Sequence, residues 1–140
     1  MAEMITKHLL KKAGKQGEVL VSSSAVSPEE YDNPVYPPAK RALAAMGVAT
    51  DKEKRAVLFT ARDYNEYDLI YVMDSSNLRR VLSITDNDPQ NKVQKLLKAV
   101  GMGEDVDDPW YYGGFDGVCR QIYDACQRLL EDLEILVAKK

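Results

Sequence analysis

Apolar residues recur at helical spacing in two segments, one near each end of the 140-residue chain. In residues 1–13, methionine, isoleucine and leucine lie on one side of a helix with lysines between them, and Gly14 follows. This pattern predicts an amphipathic helix that ends at the glycine, which readily adopts the left-handed conformation of a helix terminus. Residues 115–137 predict a final helix with one apolar stripe, which includes Cys119 and Cys126.

The first half of the chain continues with a short apolar run and a region of turn-forming residues. Residues 19–21, Val-Leu-Val, favour a β-strand. The serine- and proline-rich stretch 22–38 predicts a long shaped loop, and such loops often hold binding residues. Residues 39–46 predict a helix that the prolines begin and Gly47 ends.

The second half alternates helices with strands. Thr60 and Asp63 have the spacing of a capping box for a short helix. Residues 68–73 are almost continuously apolar, which is typical of a strand covered on both faces in a parallel sheet. Asp74 is then placed to cap a helix over residues 77–84.

Residues 92–100 fit two interpretations. Their valines and leucines have helical spacing, whereas the α/β context that precedes them would accept another strand. The pattern leaves both open. In either case, the alternation of strands and helices predicts an α/β fold.

Composition limits the classes of protein to which the chain can belong. With 45% hydrophobic and 29% charged residues, we expect one soluble domain over residues 1–140. The net charge of −3 gives no general attraction to nucleic acid or to anionic membranes, so we expect neither as a partner. No apolar run approaches the roughly 20 residues of a membrane span, and the amino end lacks the features of a signal peptide.

The two cysteines and the single histidine bear on compartment and on metal binding. Cys119 and Cys126 lie seven residues apart in a helical segment, about 10.5 Å along its axis, which is too far for a disulfide bond. We therefore expect reduced, buried thiols and a cytoplasmic protein. His8 lies on the polar side of the first helix, so neither a Cys-His pair nor a metal site is predicted.

Three ordered motifs carry more specific information. Residues 23–38 are Ser-Ser-Ala-Val-Ser-x-Glu-Glu-x-Asp-Asn-Pro-Val-Tyr-Pro-Pro, residues 67–79 contain Tyr-Asp-x4-Met-Asp-x2-Asn-Leu-Arg, and residues 106–111 contain Val-x-Asp-Pro-Trp-Tyr. Together they resemble the low-molecular-weight protein tyrosine phosphatases of the bacterial type. The resemblance extends from the first residue to about residue 130, and it depends on the order and spacing of all three motifs.

The resemblance implies a three-layer α/β/α fold around a small parallel sheet. In this family an inner strand leads into a Cys-x5-Arg phosphate loop, and the helix after that loop commonly starts Met-Ala-Glu. The chain begins Met1-Ala2-Glu3. The resemblance therefore implies that these 140 residues lack the first, inner strand and the phosphate loop.

A sheet without its inner strand has two unpaired strand edges, and exposed edges promote pairing with another chain. We expect the chain to rearrange its sheet, to borrow a strand in a homodimer formed through these edges, or to be only marginally stable. A further hypothesis places the apolar tail, residues 135–138, in the gap, although the tail fits the last turn of the final helix more simply.

Family positions imply roles for five residues. Asp108 matches the general acid that protonates the leaving phenolate and then, as a carboxylate, activates water. Trp110 and Tyr111 match the aromatic wall against which a phosphotyrosine ring packs, and Glu29 and Glu30 match the rim of the pocket. Simpler interpretations are a solvated loop aspartate before proline for Asp108, and core or interface residues for the aromatic pair.

Three further residues match supporting positions of the family. Ser23 matches the serine that braces the phosphate loop, and without such a loop it would be an ordinary turn residue. Asp74 and Asn77, with Arg79, match a network beneath the site, but a helix cap followed by a polar helix face would also explain them.

Three functions remain open. A longer gene product would be a protein tyrosine phosphatase that hydrolyses phosphotyrosine proteins or small aryl phosphates through a cysteinyl-phosphate. A genuine short chain would be an inactive relative that acts as a binding or regulatory module. The arsenate-reducing branch of the family is disfavoured, because it needs redox cysteines near the site. The resemblance implies no cofactor, and we expect the 140 residues to be inactive without nucleophile and phosphate loop.

Overall fold

A computed structural model describes residues 1–15, 17, 19–26, 37–50, 57–106 and 114–138, with side chains in the last range as far as residue 131. Within these ranges the helices are α1 (Ala2–Lys12), α2 (Pro37–Ala45), α3 (Ala61–Glu66), α4 (Ser75–Ile84), α5 (Leu96–Ala99) and α6 (Gly114–Ala138), and the strands are β1 (Ile70–Val72) and β2 (Val93–Lys95). Of the helices in the described ranges, none is both long and apolar enough to cross a membrane.

The two strands pair in parallel, and α4 connects them. Ile70 lies opposite Val93, and Val72 lies opposite Lys95. A separate parallel bridge joins Ala25 to Leu58. The structure confirms the α/β fold with a small parallel sheet.

Side chains of β1 alternate between two apolar clusters, as the geometry of a strand requires. Ile70 and Val72 pack with Tyr64 of α3 and Val81 of α4. Tyr71 packs on the other face, against a larger cluster formed by α1, α2, α5 and α6. Helices therefore cover both faces of the sheet, which explains why the sequence of β1 is apolar throughout.

The larger cluster is built mainly where α1 packs against α6. Ile5 and Cys119 are fully buried, and Cys126 is nearly so. The hydroxyl of Thr6 donates to the sulfur of Cys126 at 3.3 Å. Burial raises the pKa of both thiols. The hydrogen bond from Thr6 lowers the pKa of Cys126, but burial has the larger effect. The prediction of reduced, buried cysteines is confirmed.

Most helix ends lie close to where the sequence predicts them. Gly14 follows α1 with a φ of 73°, a conformation that a side chain would strain. Thr60 and Asp63 form the predicted capping box at the start of α3. Asp74 caps α4, whose first helical residue is Ser75 rather than Asn77.

Two strand predictions need correction, and one open case is decided. Residues 19–21 form no strand, and the side chain of Leu20 is 82% exposed. The strand predicted over residues 68–73 is confined to β1. In residues 92–100 both interpretations are right in part, because β2 ends at Lys95 and α5 begins at Leu96.

The hypothesis that residues 135–138 fill a gap in the sheet is wrong. The backbone of α6 is helical as far as Ala138, so these residues continue the helix. A helix rises only 1.5 Å per residue, whereas a strand needs an extended backbone with a rise of about 3.3 Å per residue. The tail therefore supplies no strand to the sheet.

A polar network fixes the turn that leads into β2. The Asp88 carboxylate accepts from the Tyr64 hydroxyl at 2.6 Å and from the amides of Lys92 and Val93 at 2.8 and 2.9 Å. Burial raises the pKa of Asp88, but these hydrogen bonds outweigh burial and the pKa is lowered overall. The ammonium of Lys92 lies 4.9 Å from the centre of the Tyr64 ring. This network holds β2 in register with β1.

The packing of α1 against α6 predicts a large loss of stability in Ile5→Ala. Because Ile5 is fully buried, the substitution should lower the free energy of unfolding by about 2–5 kcal/mol. Urea unfolding followed by circular dichroism measures the change. Lys11→Ala is the control, since Lys11 is exposed on the same helix, and its effect should stay within about 0.5 kcal/mol. Equal losses in the two variants would contradict the described packing.

Candidate active site

The carboxyl end of β1 runs directly into the capped start of α4. Asp74 has an extended backbone, and its carboxylate accepts from the Asn77 amide at 2.8 Å. The Asn77 side-chain oxygen accepts in return from the Met73 amide at 3.3 Å. Asp74 and Asn77 are thus connected by a hydrogen bond, and the contacts they make are those of a helix cap. Arg79 is exposed on α4.

The segment before Asp108 is attached at the same place. The amide of Val106 donates to the carbonyl oxygen of Met73 at 2.8 Å. Asp108 follows Val106 by two residues in the sequence and lies outside the described ranges. In open parallel sheets, ligands bind outside the carboxyl ends of the strands, which is where this attachment lies.

An ionic cluster holds the same segment from its other side. The Lys95 ammonium lies 2.8 Å from an Asp105 carboxylate oxygen and 3.4 Å from a Glu104 carboxylate oxygen. It also donates to the Ser75 hydroxyl at 2.7 Å, and that hydroxyl donates to Asp105 at 3.2 Å. Residues of β2, α4 and the segment after α5 therefore meet at one point.

The charges of this cluster stabilise each other. The hydrogen bond from Lys95 lowers the pKa of Asp105 more than burial raises it, and the Ser75 amide lowers it further. The hydrogen bond to Asp105 raises the pKa of Lys95 above its ordinary value. A carboxylate at the start of α4 is also favoured by the positive end of the helix dipole.

Ser23 makes a different contact. Its hydroxyl donates to a carboxylate oxygen of Glu3 at 2.8 Å, and Lys7 donates to the other oxygen at 2.8 Å. Glu3 is only 6% exposed, which is rare for a carboxylate without partners. Ser23 therefore braces the first turn of α1, and it is more than an ordinary turn residue.

The predicted acid and the predicted binding residues lie outside the described ranges. These residues are Asp108, Trp110, Tyr111, Glu29 and Glu30. Their roles stay predictions. Within the described ranges, no group of three or more histidine, cysteine, aspartate or glutamate side chains is arranged to hold a metal ion.

Sequence reasoning missed Glu3 and the Lys95 cluster. Glu3 has a visible signal, because it lies seven residues before the buried Leu10 and so on the same face of α1. Lys95 is one of three lysines within residues 92–98, and Asp105 precedes the predicted acid by three residues. Nothing in the sequence predicts that Lys95 contacts Asp105, since this contact depends on the register of the sheet.

The cap of α4 predicts a stability difference between two substitutions of Asp74. Asp74→Ala removes the acceptor of the Asn77 amide and should lower the free energy of unfolding by about 1 kcal/mol, whereas asparagine caps about as well as aspartate. Asp74→Asn should therefore stay close to the unmodified chain in urea unfolding. Equal destabilisation by both would mean that the carboxylate charge, and not the cap, matters here.

Comparisons with known proteins agree with this geometry. The family model described as low molecular weight phosphotyrosine protein phosphatase matches residues 1–139. The chain is 28% identical over 136 residues to the low molecular weight protein-tyrosine-phosphatase YfkJ of Bacillus subtilis. This match covers 96% of this chain and 86% of that protein. The chain is 30% identical over 132 residues to the phosphatase PtpA of Staphylococcus aureus strain MRSA252, with 94% and 82% covered.

Solved structures show the same relationship in three dimensions. The crystal structure of YfkJ matches with a TM-score of 0.87 and 27% identity, covering 95% of this chain and 84% of that one. The crystal structure of DARP, drosophila arginine phosphatase, matches with a TM-score of 0.81 and 26% identity, covering 94% and 87%. Fold, motifs and family model coincide over nearly the whole sequence, and the chain belongs to the low molecular weight phosphotyrosine protein phosphatase family.

Proposed function

We propose that this chain supplies the acid-loop part of a phosphatase that acts on phosphotyrosine proteins or small aryl phosphates. The observation that favours this most is the bond from Val106 to Met73, at 2.8 Å. It fixes Val106, which precedes the Asp-Pro-Trp-Tyr motif by two residues in the sequence, at the carboxyl end of β1. Family membership and this attachment together support Asp108 as the general acid.

The proposed reaction has two steps. A cysteine thiolate attacks phosphorus, the bond from phosphorus to the phenolic oxygen breaks, and Asp108 protonates the leaving phenolate. In the second step the Asp108 carboxylate takes a proton from water, the water oxygen attacks the cysteinyl-phosphate, and inorganic phosphate and the thiolate are released. Phosphate oxygens are held by backbone amides and an arginine of a Cys-x5-Arg loop.

The aromatic residues Trp110 and Tyr111 favour an aryl phosphate as substrate, because a phosphotyrosine ring can pack against them. Glu29 and Glu30 would line the rim of the pocket, and Asp74, Asn77 and Ser23 would support it. The fold alone does not decide the substrate, since the related Drosophila protein is named an arginine phosphatase. The free, buried thiols favour a reducing compartment, the cytoplasm.

The 140 residues do not contain the nucleophile that this reaction requires. The two cysteines are buried in α6, and neither is followed by an arginine at the sixth position after it. Burial raises the pKa of both thiols, which is the opposite of what a nucleophilic cysteine needs. We therefore propose that residues 1–140 by themselves do not turn over substrate, and the alternative function is a binding or regulatory module.

An aryl phosphate assay of the purified 140-residue chain should show no hydrolysis above the buffer rate, because covalent catalysis and the anion cradle act as one unit. Turnover that survives purification and is lost in Asp108→Asn would contradict this and indicate another nucleophile. Asp107→Asn, with the same change of charge one residue earlier, is the matched control.

The intact mass of the protein from its own source separates the phosphatase from the binding or regulatory module. A mass above 15.7 kDa with a Cys-x5-Arg peptide indicates a phosphatase.

We further propose a second copy of this chain as the partner at the sheet edge. Within the described ranges β1 has one strand neighbour, β2. Leu20, five residues before the bridge residue Ala25, is 82% exposed, and Val57, next to the bridge residue Leu58, is 48% exposed. Strand edges and apolar side chains of this kind favour association.

Sedimentation equilibrium should therefore give a mass of twice 15.7 kDa that falls on dilution. Leu20→Lys should weaken the dimer, because the new charge would have to be desolvated in the contact. Ile84→Lys is the control, since Ile84 is also exposed but lies at the end of α4. A monomer at all concentrations would rule out the homodimer.

A further inference from the structure

The ammonium of Lys95 has an acceptor for each of its donors. A lysine ammonium has three N–H groups, and Lys95 is within 2.7 Å of the Ser75 hydroxyl, 2.8 Å of Asp105 and 3.4 Å of Glu104. Its side chain is only 13% exposed, whereas the Asp105 and Glu104 side chains are 44% and 63% exposed. The cation is thus the enclosed centre of the cluster, and both carboxylates reach it from the solvent side.

The position of Lys95 in the fold explains why it reaches these groups. It is the last residue of β2 and lies opposite Val72, the last residue of β1. The carboxyl ends of the two parallel strands meet at this edge of the sheet, and α4 begins there with Ser75. Asp105 comes from the segment that follows α5 and precedes Asp108 by three residues.

An isolated, exposed ion pair contributes little to stability, so by itself it would not fix the position of a chain segment. Here the ion pair is one of several bonds to the same short segment. Asp105 also accepts from the Ser75 hydroxyl, and the next residue, Val106, donates to Met73. The bonds hold two consecutive residues, so the chain leaves Val106 from a fixed point.

We propose that Lys95 is a positioning residue of the acid loop. Through Asp105 and Ser75 it holds residues 105 and 106 at the carboxyl end of β1, directly before the segment that contains Asp108 in the sequence. The inference rests on the proposed role of Asp108, and it adds a residue outside the three motifs to the apparatus that places the acid.

The cluster holds over a defined range of pH. The charged groups that face Lys95 within the described ranges are Asp105 and Glu104. Because Lys95 lowers the pKa of Asp105, the contact is complete above the ordinary aspartate pKa and is lost as the pH falls through the lowered value. Because the pKa of Lys95 is raised, the contact at high pH is lost only above the ordinary lysine range. Residues 104–106 are therefore held throughout the neutral pH range.

Hydrogen exchange of the Val106 amide tests the attachment in the 140-residue chain. Lys95→Met should raise the exchange rate of this amide by about three- to tenfold, because a local opening becomes easier. Lys98→Met is the matched control, since Lys98 is an exposed lysine on the adjoining helix α5. Exchange of the Ile5 amide on α1 should be unchanged in both variants, which shows that the fold is intact. An unchanged Val106 amide in Lys95→Met would overturn the inference.

The chain's single tryptophan, Trp110, reports on the acid loop itself. Acrylamide should quench its fluorescence differently in Lys95→Met than in the unmodified chain and in Lys98→Met. A change at Val106 with no change at Trp110 would mean that Lys95 anchors only residues 104–106, and the positioning role would be wrong. Neither readout requires turnover, so the result is independent of whether the phosphatase proposal survives.

A titration of Trp110 fluorescence distinguishes positioning by the charge from a packing role of the lysine stem. In the unmodified chain the signal should change as acid protonates Asp105, below the ordinary aspartate pKa. In Asp105→Asn this transition should be absent, and the signal at neutral pH should resemble that of Lys95→Met. The same transition in both proteins would exclude the ion pair as the cause.

Discussion

The alternation of β1 side chains between two apolar clusters is the constraint on which the rest of the structure depends. Ile70 and Val72 face α3 and α4, and Tyr71 faces the cluster formed by α1, α2, α5 and α6. A slip of one residue would exchange the two faces, so packing fixes the register of the strand. The strand's end is fixed with it, and the carbonyl of Met73 is consequently in place to receive the Val106 amide.

Features that depend on neighbouring residues could be predicted from the sequence. The capping box of Thr60 and Asp63, the cap at Asp74 and the end of α1 before Gly14 each involve residues within one helical turn. Residues 19–21 show the opposite case. Their β-branched and apolar side chains favour a strand, but a strand also needs a hydrogen-bonded neighbour, and a propensity cannot provide one.

The contacts of the candidate site also divide into those between residues close in the sequence and those between distant residues. Asp74 and Asn77 could be found because they lie within one motif and one helical turn. Lys95 and Ser75 are 20 residues apart, as are Ser23 and Glu3, and both contacts form only after strands and helices have packed. The family resemblance pointed to residues 108–111 by their sequence, but the groups that attach Asp105 and Val106 to the sheet became visible only in the fold.

Because both thiols are buried, their reactivity reports on local unfolding of the chain. An exposed thiolate attacks thiol-directed reagents as a nucleophile, and Cys119 and Cys126 are 0% and 1% exposed in the folded chain. Covalent labelling of either cysteine at neutral pH therefore reports separation of α6 from α1. Any cysteine that reacts quickly while these two stay protected would belong to a different segment and a different chemistry.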